Sequence, residues 1–205
     1  MKLHAVFIVL LAAGSAAAQE PPAVTFDQLE YSAGANPSGG ELTIAANAEP
    51  LSSDSEPSFL GSPLPDRDFS IRTLMDFSAL APGDIAGLAA RRDGEHWLAI
   101  QVERIEPADL VAVRLRNGKG SPPGGKLVAT TALPGSAEGK VRLRIDGRDG
   151  RYSLMFDTGN ELWQMLAEGI DGSSLSGPGA GQMPIVLAGP FATDGAERKL
   201  PESGQ

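Results

Sequence analysis

Residues 96–104 read His-Trp-Leu-Ala-Ile-Gln-Val-Glu-Arg. Leu98, Ile100 and Val102 recur at every second position, and Trp97, Ala99, Gln101 and Glu103 fill the places between them. A period of two belongs to a pleated strand, whose successive side chains point to opposite faces; a helix would need apolar residues at intervals of three and four. The stretch therefore reads as a strand with one aliphatic face. Its other face carries an indole, an amide and a carboxylate.

The same pattern extends outward in both directions. Phe69, Ile71, Thr73, Met75 and Phe77 share one face, opposite Ser70, Arg72, Leu74 and Asp76. Residues 85–91 come after a Pro82-Gly83-Asp84 turn. Val111, Val113 and Leu115 stand against Ala112, Arg114 and Arg116, and Val141, Leu143 and Ile145 against Arg142, Arg144 and Asp146. Residues 41–45, 126–132, 152–157, 161–167 and 185–193 complete the set. Gly147-Arg148-Asp149-Gly150 reads as a tight hairpin turn. Helical spacing fits only residues 27–31 and a turn near Ser173. No segment repeats at a fixed period, which argues against a propeller or solenoid. The 25 Gly and 16 Pro among 205 residues lie between the alternating runs and read as turns. Period-two segments spaced by turns indicate an all-β antiparallel sandwich or barrel.

The chain ends are of a different kind. Lys2, an uninterrupted apolar run over residues 5–13, and Ala16-Ala17-Ala18 form the pattern of a secretory signal over residues 1–18, with cleavage expected before Gln19. The apolar run is shorter than the roughly 20 residues of a spanning helix. Residues 19–24 read as a flexible leader, residues 25–193 as one domain, and residues 194–205 as a flexible tail. The expectation is an exported protein, periplasmic or extracellular. The formal net charge of −9 argues against nucleic acid and anionic membrane as partners, because both call for a cationic face. The chain has no Cys, so neither a disulfide nor a lipid-bearing Cys is available.

Several kinds of chemistry lack their residues. After signal cleavage His96 is the single histidine, too few with no Cys for a tetrahedral zinc site built on those ligands. A Ser-His-Asp relay would need His96, and no Gly-x-Ser-x-Gly elbow supplies the serine; Gly172-Ser173-Ser174-Leu175-Ser176-Gly177 reads as a loop. Glycoside hydrolysis needs two carboxylates flanking one bond. Glu103 and Glu106 stand three apart at a strand end broken by Pro107 and read as solvated. No phosphate loop or dinucleotide fingerprint is present. No cofactor and no catalytic residue is expected. Asp27 and Asp194 could lend oxygen to a structural Ca²⁺, but no loop carries a calcium signature.

Several motifs, in this order, resemble the concanavalin A-like C-terminal domain of glycoside hydrolase family 43 β-xylosidases. They are Gly40-Glu41-Leu42-Thr43-Ile44, Pro57-Ser58-Phe59-Leu60-Gly61, Leu74-Met75-Asp76-Phe77, Ala86-Gly87-Leu88 and Trp97-Leu98-Ala99-Ile100-Gln101-Val102. Val141-Arg142-Leu143-Arg144-Ile145, Arg151-Tyr152-Ser153-Leu154, Trp163 and Gly189-Pro190-Phe191-Ala192-Thr193 continue the series. The resemblance runs from about Phe26 to Thr193. It departs after Gly61, where Ser62-Pro63-Leu64-Pro65 replaces the family's usual basic and Gln residues. It implies a jelly-roll β-sandwich. The family's catalytic acids belong to a propeller beside this domain, and here the export signal stands in that place.

The resemblance implies a non-catalytic carbohydrate-binding module for a polysaccharide or oligosaccharide. The alternative is an accessory or structural protein that docks onto another exported protein such as a glycosidase. Sugar sites stack an aromatic ring on the sugar and orient its hydroxyls with polar side chains. Trp97, Gln101, Arg114, Arg142 and Arg144 are the residues of that type on outward strand positions, provided that they share one sheet. Trp163, Tyr152 and Phe156 read as core.

Overall fold

The computed structural model of the chain describes residues 21–32, 40–64, 68–176 and 185–194. The alternating runs become strands: β1 (Ala23–Ser32), β2 (Leu42–Ala45), β3 (Ser62–Pro63), β4 (Phe69–Asp76), β5 (Ile85–Asp93) and β6 (His96–Glu103). Then come β7 (Leu110–Asn117), β8 (Lys126–Ala132), β9 (Lys140–Arg148), β10 (Arg151–Asp157), β11 (Gln164–Asp171) and β12 (Leu187–Thr193), with a single helical turn, α1 (Ser173–Ser176), before β12. Sheet A has the order β11-β10-β9-β4-β1-β2, and sheet B the order β3-β12-β5-β6-β7-β8. Neighbouring strands within both sheets run antiparallel. The β9–β10 hairpin turns on Asp149 (φ 49) and Gly150 (φ 72). Both carry the positive φ that a two-residue turn of this hand requires.

The core is the space between the sheets. From sheet B, Leu88, Leu98, Ile100, Val102, Val111 and Val113 enter it; from sheet A, Phe26, Ile71, Met75, Leu143, Ile145 and Leu154 meet them, all fully buried. Each large aliphatic side chain so buried contributes about 1.5–3 kcal/mol. The fold is the all-β sandwich that the alternation called for.

Three local readings change. Residues 27–31 are strand, not helix. Phe26 and Leu29, three apart, both reach the core because the β1–β4 register slips between Asp27 and Glu30. Gln28 takes up the extra residue with φ 52. A bulge of this kind gives a strand the apolar spacing of a helix. At the N-terminal side, β1 already begins at Ala23 and Val24 is buried, so the ordered domain includes the end of the expected leader. The expected signal, its cleavage site and residues 195–205 of the expected tail lie outside the described residues. Finally, β11 starts at Gln164, so residues 161–163 belong to the connection that precedes it.

Candidate functional site

The outer face of sheet B carries three of the five expected site residues, and it is covered around Trp97. Trp97 is only 3% exposed and packs with Leu51, Ala89, Ala99 and Phe191, with Phe59 against the same cluster. The cover is the segment that includes residues 51–60. It is fastened by backbone hydrogen bonds from Leu60 N to Pro190 O and from Ala192 N to Ser58 O. Arg91 fastens it further, donating to the Leu51 carbonyl at 3.0 Å and the Ser53 carbonyl at 2.8 Å. On the other side, a Cβ on Gly125 would stand 2.6 Å from the far edge of the indole, so this loop too lies on Trp97. Trp97 therefore has no face free for a sugar.

Gln101 and Arg114 are equally committed. Gln101 donates to Glu103 Oε1 at 2.7 Å, and Arg114 Nε donates to the same oxygen at 2.6 Å. Arg114 also reaches the Gly125 carbonyl at 3.2 Å. Glu103, read from sequence as a solvated strand end, is buried and is the hub of this network. Glu103 ends the central strand β6, flanked by Ile85 of β5 and Leu110 of β7, and the side chains of Gln101 and Arg114 both turn their donors onto it.

Arg142 and Arg144 lie on β9, in sheet A, so the five residues do not form one site. Here the outer face is open. Strand register lines up Glu30, Arg72, Arg144 and Met155 in one cross-strand row, and Leu74, Arg142 and Asp157 in the next. Arg72 and Arg144 are directly opposite, an arrangement that repels unless each charge is answered. Each is: Arg72 Nε donates to Glu30 at 2.9 Å, and Arg144 Nε to Asp146 at 2.8 Å. Arg142 donates to Asp157 at 3.0 Å.

Asp157 ties the sheet to the turn beyond it. Its side chain is 1% exposed. One oxygen takes Arg142; the other accepts the backbone N–H groups of Gly159 at 3.0 Å and Asn160 at 3.1 Å. That capped turn presents Glu161 and Trp163. The Trp163 ring centroid lies 5.7 Å from the Arg144 guanidinium carbon, a cation–π distance. Between this turn and β1 is a cleft of about 250 Å³. It is lined by Trp163 and Glu161 on one side, Gln28 and Glu30 on the other, and Arg72, Leu74 and Arg142 on the floor. It offers an aromatic surface, fixed cations and carboxylates in one depression, the mixture by which small polar ligands are oriented.

The two tryptophans thus exchange the roles that the sequence suggested: Trp97 is core and Trp163 lines the cleft. Tyr152 and Phe156 are core, as expected. The signal for Trp163 was the Asp157-Thr158-Gly159-Asn160 turn just ahead of it, which breaks the strand and lifts the next residues out of the pleat.

The histidine has a structural setting. His96 Nδ1 lies 2.8 Å from Asp93 Oδ1, with Arg92 beside them. Burial opposes ionisation of Asp93, but hydrogen bonds from His96, Arg92 and the Glu95 N–H outweigh it and hold the pKa at about 2. Among the described residues no serine hydroxyl bonds to His96. No group of three or more His, Cys, Asp and Glu among them is placed to hold a metal ion. Asp27 and Asp194 lie on different sheets, at β1 and just past β12.

The solved structures similar to this chain share its fold. A xylan β-1,4-xylosidase from Bacillus halodurans aligns with TM-score 0.63 and 18% identity, over 77% of this chain and 30% of that one. A glycoside hydrolase family 43 protein from a capybara gut metagenome gives 0.65 and 15%, over 76% and 29%. A protein of unknown function from Saccharomyces cerevisiae gives 0.50 and 17%, over 89% and 84%. The chain therefore spans about 30% of the length of the family 43 proteins it resembles. No curated protein sequence matches. Residues 28–199 match the family described as the β-xylosidase C-terminal concanavalin A-like domain, the non-catalytic module of those enzymes, and the chain belongs to that family.

Proposed function

We propose that the protein is an exported, non-catalytic carbohydrate-recognition module, periplasmic or extracellular, and that its glycan site is the cleft on the outer face of sheet A. The observation that carries this reading is Trp163, a partly exposed indole held by Arg144 at the edge of a cleft whose floor is made of ion-paired arginines. An indole supplies apolar contact to the C–H face of a sugar, and hydrogen-bonding groups around it supply orientation. The glycans named for its structural relatives, xylan and xyloglucan, are the first probes. In affinity electrophoresis the wild type is expected to be retarded by at least one of them. Trp163→Ala should run as in a gel without glycan, with an unchanged circular dichroism spectrum. Equal retardation of Trp163→Ala would move the site elsewhere.

A second reading has an observation of its own. Leu162 is 66% exposed and Met165 is 49% exposed, both beside the cleft at the β11 edge of sheet A. Exposed apolar side chains at a sheet edge favour docking onto another exported protein, such as a glycosidase. If Leu162→Asp with Met165→Asp abolishes co-purification with a partner while glycan retardation is absent in the wild type, this second reading holds.

A further inference from the structure

Four non-glycine residues among those described have a left-handed backbone: Gln28 (φ 52), Glu138 (φ 48), Asp149 (φ 49) and Glu161 (φ 61). Asp149 belongs to a hairpin turn that requires it, and Glu138 closes a short helical turn. Gln28 owes its φ to the β1 bulge and Glu161 to the turn capped by Asp157, and both devices deliver their side chains to the lining of the cleft. Glutamine and glutamate gain nothing intrinsic from this conformation, which glycine adopts freely. Strained positions of this kind collect where a side chain must be aimed, and the bulge at Gln28 is a device that re-aims one.

The two residues also differ from the other polar groups of the cleft. Glu30, Arg72, Arg142 and Asp157 are ion-paired within the protein. Neither the Gln28 nor the Glu161 side chain makes a hydrogen bond or ion pair with the described residues. Among the described residues their side-chain hydrogen-bonding capacity is therefore not used within the protein. Gln28 sits on β1 and Glu161 just past β10, strands separated by β4 and β9. Three inter-strand spacings make a span of about 14 Å. The lining holds two arginines, both answered, against three carboxylates, and Glu161 is the acid left over.

We infer that Gln28 and Glu161 are the specificity-determining pair of this cleft, gripping from its two rims the hydroxyls of an uncharged oligosaccharide that lies across β4 and β9. Gln28 offers a donor and an acceptor; Glu161 accepts charge-assisted hydrogen bonds, which are the stronger kind. The unanswered carboxylate turns away uronic acids. The span means that a single sugar reaches one rim only. The inference rests on the glycan-binding reading of the same cleft.

The test is affinity electrophoresis and competition with the full chain, using arabinoxylan, xyloglucan and polygalacturonate as probes. Gln28→Gly and Glu161→Gly should each weaken retention on the neutral glycan at least tenfold without lowering the thermal midpoint, because glycine accepts the left-handed backbone. A loss of fold would lower the midpoint instead. Glu161→Gln should gain retention on polygalacturonate, and a neutral oligosaccharide should compete at least tenfold better than its monosaccharide. Full retention by both glycine variants, with Trp163→Ala released, would overturn the pair and leave the cleft reading standing. Retention of Trp163→Ala as well, or no retardation of the wild type by any probe, would overturn both.

Discussion

The outer faces of the two sheets are built on the same pleat and end differently. On sheet B, Gly87, Ala89, Ala99 and Ala112 are small, so loops settle directly onto the strands and Trp97, Gln101 and Glu103 disappear beneath them. On sheet A the corresponding positions carry Arg72, Arg142, Arg144 and Met155, whose bulk and charge keep the chain off. Small outward residues turn a sheet face into a second layer of core; long charged ones keep it as a surface. The same side-chain types, an indole with arginines and acids, are therefore part of the packed interior on one side and remain at an open surface on the other.

The strongest way to break this contrast is at Trp97. If it is core, Trp97→Ala leaves a cavity and should cost about 3–5 kcal/mol in denaturant unfolding. The glycan retention of the molecules that remain folded should be unchanged. Next is the buried pair: Arg114→Ala removes the cation from Glu103, which keeps the Gln101 hydrogen bond, and should cost about 1.5–3 kcal/mol, whereas exposed ion pairs are worth about 0–1 kcal/mol. Arg72→Ala on the open face, which removes such a pair with Glu30, should fall in that lower range. If the two arginine variants unfold alike, the distinction between the faces fails.

The smallest effect is expected in acid, at the β5–β6 turn. The Asp93 pKa is lowered from its ordinary 3.8 to about 2, so the stabilisation from its hydrogen bonds is complete above pH 3.8 and is lost as pH falls through about 2. Thermal midpoints of wild type and Asp93→Asn should therefore differ at pH 5 and converge towards pH 2. A difference that persists or widens in acid would reverse the sign assigned to this carboxylate.

The strands were legible for a physical reason. The alternation of residues 96–103 and of residues 140–148 reports a local property, which side of the chain is apolar, and that is enough to name β6 and β9. Which sheet a strand joins is a long-range choice. Arg114 and Arg144 have the same outward phase, yet β7 pairs with β6 and β9 with β4. Whether an outward residue is covered depends on a third element again. Nothing within residues 96–103 announces that Leu51 and Phe59 will lie over Trp97. The bulge at Gln28 was visible only as an apolar interval of three between Phe26 and Leu29, which a helix produces as well. The cleft was half legible for the same reason: Arg142 and Arg144 could be read as outward, but Trp163 comes after a turn and has no strand phase.

Asp157 has a consequence for kinetics. Its buried carboxylate holds Arg142 of the floor and the amides of the Gly159-Asn160 turn together. The floor and one rim of the cleft are thus ordered in the unliganded chain. Ordering a flexible side chain at an interface costs about 0.5–1.5 kcal/mol, and for the parts held by Asp157 that ordering belongs to folding instead of to encounter. Substituting Asp157 should then show itself in residence time: a ligand meeting a loosened turn still finds Trp163, but leaves it sooner. The amide hydrogens of Gly159 and Asn160 provide a direct gauge, because their exchange with solvent should be slow for so exposed a turn and should accelerate when the carboxylate is removed.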